Sequence, residues 1–181
     1  MERAERNWVL QAAQNGETTA RCDPGAASRY IHSRIDPGAE ALRWAERLRG
    51  ATGDLVVLGF GLGYHVRSIL QVSRFERITV VEKDRVLFDL ASKAIDRGAW
   101  PSGPALQFLV GQEPADAVRQ LAVLCRPRPF SLLQYHPVTR LDEAYYRVIR
   151  SALEGELRER RTLVDPQLSG KIDMLLEQWI A

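Results

Sequence analysis

Two cysteines and three histidines in 181 residues leave little material for metal or disulfide chemistry. Cys22 and Cys125 lie far apart with no paired spacing, which excludes a disulfide framework and a thiolate zinc site and fits a reducing compartment. His32, His65 and His136 are too dispersed for a sequence-local metal motif, so no metal is expected. A charge excess is also lacking. With 25 lysines and arginines against 23 aspartates and glutamates, there is no global field of the kind that makes a general nucleic-acid or membrane-surface binder. No run approaches the roughly 18 consecutive apolar residues of a spanning helix. The first six residues, Met1 to Arg6, alternate charge where a secretory signal would be apolar. A cytoplasmic protein is expected, with no membrane or nucleic-acid partner, and neither repeats nor low-complexity segments interrupt the chain.

What is present fits one core with short terminal additions. Residues 7–14 read as a weak lead-in helix broken at Asn15-Gly16. Glu17 to Cys22 and Ser28 to Ile31 then read as short strands flanking an Asp23-Pro24-Gly25 turn. Asp36-Pro37 is a helix start, aspartate as N-cap and proline at the first helical position, and that helix ends near Gly50. Leu55 to Leu58 is a continuous apolar run without alternation, which predicts a buried parallel strand. A helix carrying Val66, Ile69 and Leu70 follows, then a strand over Ile78 to Val81, and a helix with Leu87, Leu90, Ala91 and Ala94. Leu106 to Val110 and Phe130 to Tyr135 supply two further strands around a helix using Ala117, Leu121 and Leu124. Strands and helices in alternation predict an α/β fold, a Rossmann-like, mostly parallel sheet with helices on both faces. Residues 1–36 form an N-terminal extension, 37–162 the Rossmann-like domain, and 163–181 an amphipathic C-terminal helix; the helix preceding it runs from Asp142 to about Arg161.

The chemistry concentrates where the first long strand ends. Gly59, Gly61 and Gly63 alternate with Phe60 and Leu62 at the strand-to-helix turn, so backbone can approach a bound group closely beside a helix N-terminus. The alternative is a tight structural turn that binds no ligand. Glu82 ends the next strand, nineteen residues beyond Gly63, where a carboxylate can accept from both hydroxyls of a ribose. A dinucleotide is disfavoured because Tyr64 stands where the dinucleotide fingerprint has its third glycine. His65 and His136 fall at strand edges facing a common cleft and, with Tyr135, are the candidates for proton transfer; passive packing of each is the alternative.

This pattern resembles the first two motifs of class I S-adenosylmethionine-dependent methyltransferases over roughly Leu55 to Val110. The resemblance implies that Gly59, Phe60, Gly61, Leu62 and Gly63 lie under the methionine moiety, that Glu82 with Lys83 holds the ribose, and that Gly111 and Gln112 flank the adenine. Two departures favour binding over catalysis. Val57 stands where many of these enzymes carry an acid, and Gln134-Tyr135-His136-Pro137 replaces an Asn/Asp-Pro-Pro-Tyr motif.

A wider resemblance rests on Tyr30 to Pro37 with Glu40-Ala41, Gly59 to His65, Val81 to Asp84, and Tyr135-His136-Pro137 followed by Tyr145-Tyr146. Over about residues 15–150 the chain resembles the N-terminal region of motility-associated factor proteins, bacterial flagellin glycosyltransferases. The resemblance implies a methyltransferase-like domain ahead of a central domain that transfers a nucleotide-activated nonulosonic acid to serine or threonine. With some thirty residues after Arg150, the chain is not expected to carry that transferase site. Three functions follow: a nucleoside- or nucleotide-binding accessory domain working with a separate transferase subunit, a small methyltransferase using S-adenosylmethionine, or a ligand-free interaction domain that dimerises through its last helix.

Overall fold

Strand β4 (Thr52–Leu58) has no solvent face along its apolar run. Leu55 and Val57 enter one hydrophobic cluster while Val56 and Leu58 enter another. Successive strand side chains alternate faces, so the sheet around β4 is covered on both sides. The chain is seen in a computed structural model that describes residues 6–22, 29–94, 105–125 and 129–161, the side chains of 157–161 excepted.

Strands β5 (Arg74–Glu82), β6 (Ala105–Val110) and β7 (Phe130–Gln134) join β4 in parallel, in the order β6-β5-β4-β7. The chain moves outward from β4 to β6 and then returns to the far side of β4. That reversal puts the topological switch point between the C-terminal tips of β4 and β7. Helices α1 (Pro37–Ala45), α2 (Tyr64–Val72) and α3 (Arg85–Ala94) pack on one face through Ala41, Ile69 and Leu87. Helices α4 (Pro114–Cys125) and α6 (Glu143–Arg161) pack on the other through Leu121, Tyr146 and Ile149. One short turn of helix, α5 (His136–Thr139), sits at the switch point. The expected Rossmann-like architecture is the one observed. So is the start of α1, where the Asp36 side chain accepts from the Ala39 N–H at 2.7 Å ahead of Pro37.

The lead-in helix expected over residues 7–14 is a strand, β1 (Trp8–Ala12). Its local helix signal is weak, and Trp8 and Val9 are good strand formers, so pairing decides the outcome. The Asn15-Gly16 turn, with Gly16 at φ +85°, folds β1 antiparallel onto β2 (Thr18–Cys22). The second hairpin forms as expected, between β2 and β3 (Arg29–Tyr30). Its Asp23-Pro24-Gly25 turn and the helix expected after Asp165 lie outside the described residues. Trp8, Ala20 and Cys22 of this small sheet enter the same core cluster as α1 and α2. Among the described residues, no helix is long and apolar enough to cross a membrane, and no group of His, Cys, Asp or Glu is arranged to hold a metal ion.

Candidate functional site

Five backbone N–H groups line the turn from Gly59 to Gly63, and an anion or ribose seated there would need some of them free. Each has a protein acceptor. Gly59 donates to the Val81 carbonyl at 2.8 Å, and Gly63 to the Phe60 carbonyl at 2.9 Å. Phe60 and Gly61 donate to Glu82 Oε2 at 2.8 and 3.3 Å, and Leu62 donates to His32 Nε2 at 2.9 Å.

The three glycines take φ of +89°, +55° and +81°, the left-handed region that side chains avoid. The space left by their missing Cβ atoms is filled by protein. A Cβ on Gly59 would meet Val138 and Thr139 of α5 at 3.2 Å; one on Gly61 would meet His32 Nε2 at 2.8 Å. One on Gly63 would fall 2.6 Å from the ring of Phe60, which is tucked beneath the turn against Phe88 and Phe108. Gly63→Ala combines a left-handed backbone penalty of roughly 1–2 kcal/mol with displacement of a packed ring. We expect it to lower stability by about 2–4 kcal/mol in chemical denaturation; a loss below about 0.5 kcal/mol would contradict this packing.

Glu82 is 1% exposed and lies beneath the turn. Its second oxygen, Oε1, accepts from the Asp84 N–H at 2.8 Å and from the Tyr146 hydroxyl at 3.2 Å, and that hydroxyl in turn accepts from the Lys83 N–H at 3.1 Å. Burial pushes the Glu82 carboxyl up to about 6, against the pull of the Asp84, Phe60 and Gly61 amides.

Further groups close over the tip of β5. Trp8 Nε1 donates to Asp84 Oδ2 at 2.8 Å, while Asp84 Oδ1 caps α3 by accepting from Leu87 N–H at 3.0 Å. Arg6 and Lys83 both pair with Asp142, at 2.5 and 2.6 Å. Burial alone would raise the Asp142 pKa, yet these two cations hold it below its usual value. On the α2 side, Tyr64 donates to the Thr18 carbonyl at 2.8 Å and accepts its N–H at 3.1 Å. The residue that spoils a dinucleotide fingerprint thus anchors the N-terminal hairpin.

The histidines divide into two kinds. His32 Nε2 accepts the Leu62 N–H, so its proton resides on Nδ1, which donates to Tyr135 Oη at 2.8 Å; Tyr135 then donates to the Ile31 carbonyl at 2.7 Å. Burial, and then the neighbouring His65, lower the His32 pKa well below the ordinary value. His65, fully buried, donates from Nε2 to the Gly59 carbonyl at 3.0 Å and stacks on Tyr135 with ring centres 4.1 Å apart. Burial pushes its pKa down to about 3. His65 and Tyr135 are therefore brought together inside the core. His136, half-buried at the start of α5, lines a cavity with Arg140 and Arg150, its pKa lowered by burial and then by those two arginines.

Gly111 and Gln112 reach the same sheet edge: the Gly111 N–H donates to the Glu82 carbonyl at 2.9 Å, and Gln112 Nε2 lies 3.3 Å from Gln120 Oε1. Arg34 lies over the Tyr30 ring at 5.0 Å. Sequence reasoning did not find the joining roles of His32 and Tyr146. For Tyr146 a signal was present, since positions 146, 149 and 153 share a helix face with i, i+3, i+7 spacing.

A family model described as the Glycosyltransferase Maf N-terminal domain matches residues 6–162. The chain belongs to this family. Among solved structures, the Maf glycosyltransferase from Magnetospirillum magneticum AMB-1 is 14% identical, the match covering 84% of this chain and 32% of that one, with a TM-score of 0.47. This chain thus spans about a third of that Maf structure. Spermidine synthase from Thermotoga maritima is 12% identical, covering 66% of this chain and 52% of its own length, with a TM-score of 0.39. A spermidine synthase in complex with the transition state analogue AdoDATO matches over the same shares at 12% identity and a TM-score of 0.40. No curated protein matches the chain. The resemblance to motility-associated factor proteins is thereby borne out at the level of the Maf N-terminal family.

Proposed function

We propose that this Maf N-terminal domain is an accessory, non-catalytic unit that works with a glycosyltransferase domain, and that its glycine turn is a structural joint and not a nucleoside seat. The observation supporting this is the Glu82 carboxylate: both oxygens are engaged by protein donors beneath the turn. A ribose would have to displace those donors. Each buried N–H left without an acceptor costs roughly 1–3 kcal/mol, comparable to what the ribose hydroxyls could return. Catalysis at this turn is disfavoured on the same grounds, because His65 and Tyr135 are stacked inside the core, and His136 lines a cavity whose walls include no residue of the turn.

The competing reading seats S-adenosylmethionine or a nucleotide on Gly59 to Gly63, with Glu82 and Lys83 on the ribose and Gly111 and Gln112 beside the base. Thermal melting separates the two. A ligand at about one hundred times its Kd adds roughly 2.7 kcal/mol to the native state. We expect no shift with millimolar S-adenosylmethionine or S-adenosylhomocysteine. A shift with the sulfur nucleosides that disappears in Glu82→Gln would overturn the structural reading and favour a cofactor site.

A further inference from the structure

On the far side of α5 from the glycine turn lies a cavity of about 370 Å³, lined by Arg29, Arg140, Arg147 and Arg150 with His136 and Glu143. Thr139 is part of the dividing wall: its methyl faces Gly59, and its hydroxyl accepts from Gln134 Nε2 at 2.8 Å. The volume falls in the range of small-molecule sites, roughly 300–1,000 Å³.

The cations converge from separate parts of the chain. Arg140, Glu143, Arg147 and Arg150 recur at helical spacing along one side of the turn at Arg140–Asp142 and of α6, and Arg29 comes from β3. Gln134, at the tip of β7, has its amide oriented by Thr139, so its Oε1 receives Arg150 Nη1 at 3.3 Å. Arg150 also has Glu154 at 3.7 Å. Among the described residues, Arg29, Arg140 and Arg147 make no ion pair with a carboxylate. With Arg150 partly answered by Glu154, the three guanidinium groups of Arg29, Arg140 and Arg147 still face one lining carboxylate, Glu143; they concentrate positive potential in a small concave space, and such an arrangement is relieved by an anion. Guanidinium is also the side-chain group whose planar fork matches phosphate oxygens two at a time. A neutral ligand or an apolar helix would leave these charges unanswered.

We propose that this cavity binds a small molecule bearing a diphosphate, with Arg140, Arg147, Arg150 and Arg29 clamping the phosphate oxygens and His136 at the inner wall. The site lies outside the glycine turn, so it stands or falls separately from the turn's structural role.

Calorimetric titration of the full chain with inorganic pyrophosphate, and separately with ADP, tests it. One saturable site is expected, weakened about tenfold or more by Arg147→Glu and by Arg140→Glu, which corresponds to the loss of one charge-assisted contact. Both arginines are exposed, so circular dichroism should show unchanged folding. Arg43→Glu, on the exposed side of α1, should leave binding intact. Tighter binding of ADP than of pyrophosphate supports the site and identifies a nucleotide; equal binding supports it with recognition confined to the phosphates. The proposal is overturned by no saturable response to either probe, by equal weakening in Arg43→Glu, or by a response only to a long polyanion such as heparin.

Discussion

Glu82→Ala is expected to lower the unfolding free energy by about 3–5 kcal/mol, the largest loss from a single side chain at the candidate site. The substitution strips acceptors from the Phe60, Gly61 and Asp84 amides and a partner from Tyr146. Those orphaned amides cost roughly 1–3 kcal/mol each. Removing a buried carboxylate works in the other direction. Its pKa of about 6, against an ordinary 4.5, corresponds to roughly 2 kcal/mol relieved at neutral pH. The amides outweigh that relief. Glu82→Gln keeps one acceptor oxygen and should cost markedly less. A solvent-facing ribose ligand would behave differently, since its loss would leave stability within about 0.5 kcal/mol of the parent. Urea midpoints for the two variants distinguish these outcomes.

Acid should unfold the domain through its buried histidines. His65 binds a proton near pH 6.5 when unfolded and only near 3 when folded. The unfolded state therefore carries more protons across that window, and stability falls as pH falls through it. The full gap is worth roughly 5 kcal/mol, reached only near pH 3. His32, also shifted down, adds in the same direction. So does Asp142, whose folded pKa is depressed and whose contribution is lost at still lower pH. Glu82 opposes them: its folded pKa is raised, so the folded state binds more protons between about 4.5 and 6 and gains stability as pH drops through that interval. That gain, roughly 2 kcal/mol, is smaller than the combined histidine loss. The expected result is a denaturation midpoint that declines continuously from pH 6.5 to 4.5, with a shallower slope in His65→Phe. A flat profile over that range would contradict the buried neutral histidines.

The parallel sheet was legible because each strand announces itself locally. Leu55 to Leu58 has no polar alternation, and Asp36-Pro37 carries a cap and a starter in adjacent positions. β1 was not legible, because Trp8 to Ala12 becomes a strand only by pairing with β2, a decision made by the Asn15-Gly16 hairpin and not by local propensity. At the site, the sequence reveals where Gly59 to Gly63 and Glu82 lie along the chain but not where the Glu82 carboxylate points. Spacing alone is compatible with a carboxylate facing a ribose or facing the turn's own amides. Tyr146, 64 residues away, and the amide of Asp84 complete the second arrangement. His32 is similar, since its partners Leu62 and Tyr135 are 30 and 103 residues distant. The arginine cavity draws on β3, α5 and α6, so no contiguous motif marks it.

The amides of Phe60, Gly61 and Leu62 report on the central claim directly. If the turn is closed on Glu82 and His32, their hydrogen exchange in the free protein should be as slow as that of the β4 core, and it should not change when S-adenosylhomocysteine is added. Fast exchange at these three positions in the free protein, slowing when the nucleoside is added, would show an open turn that waits for a ligand and would contradict the account.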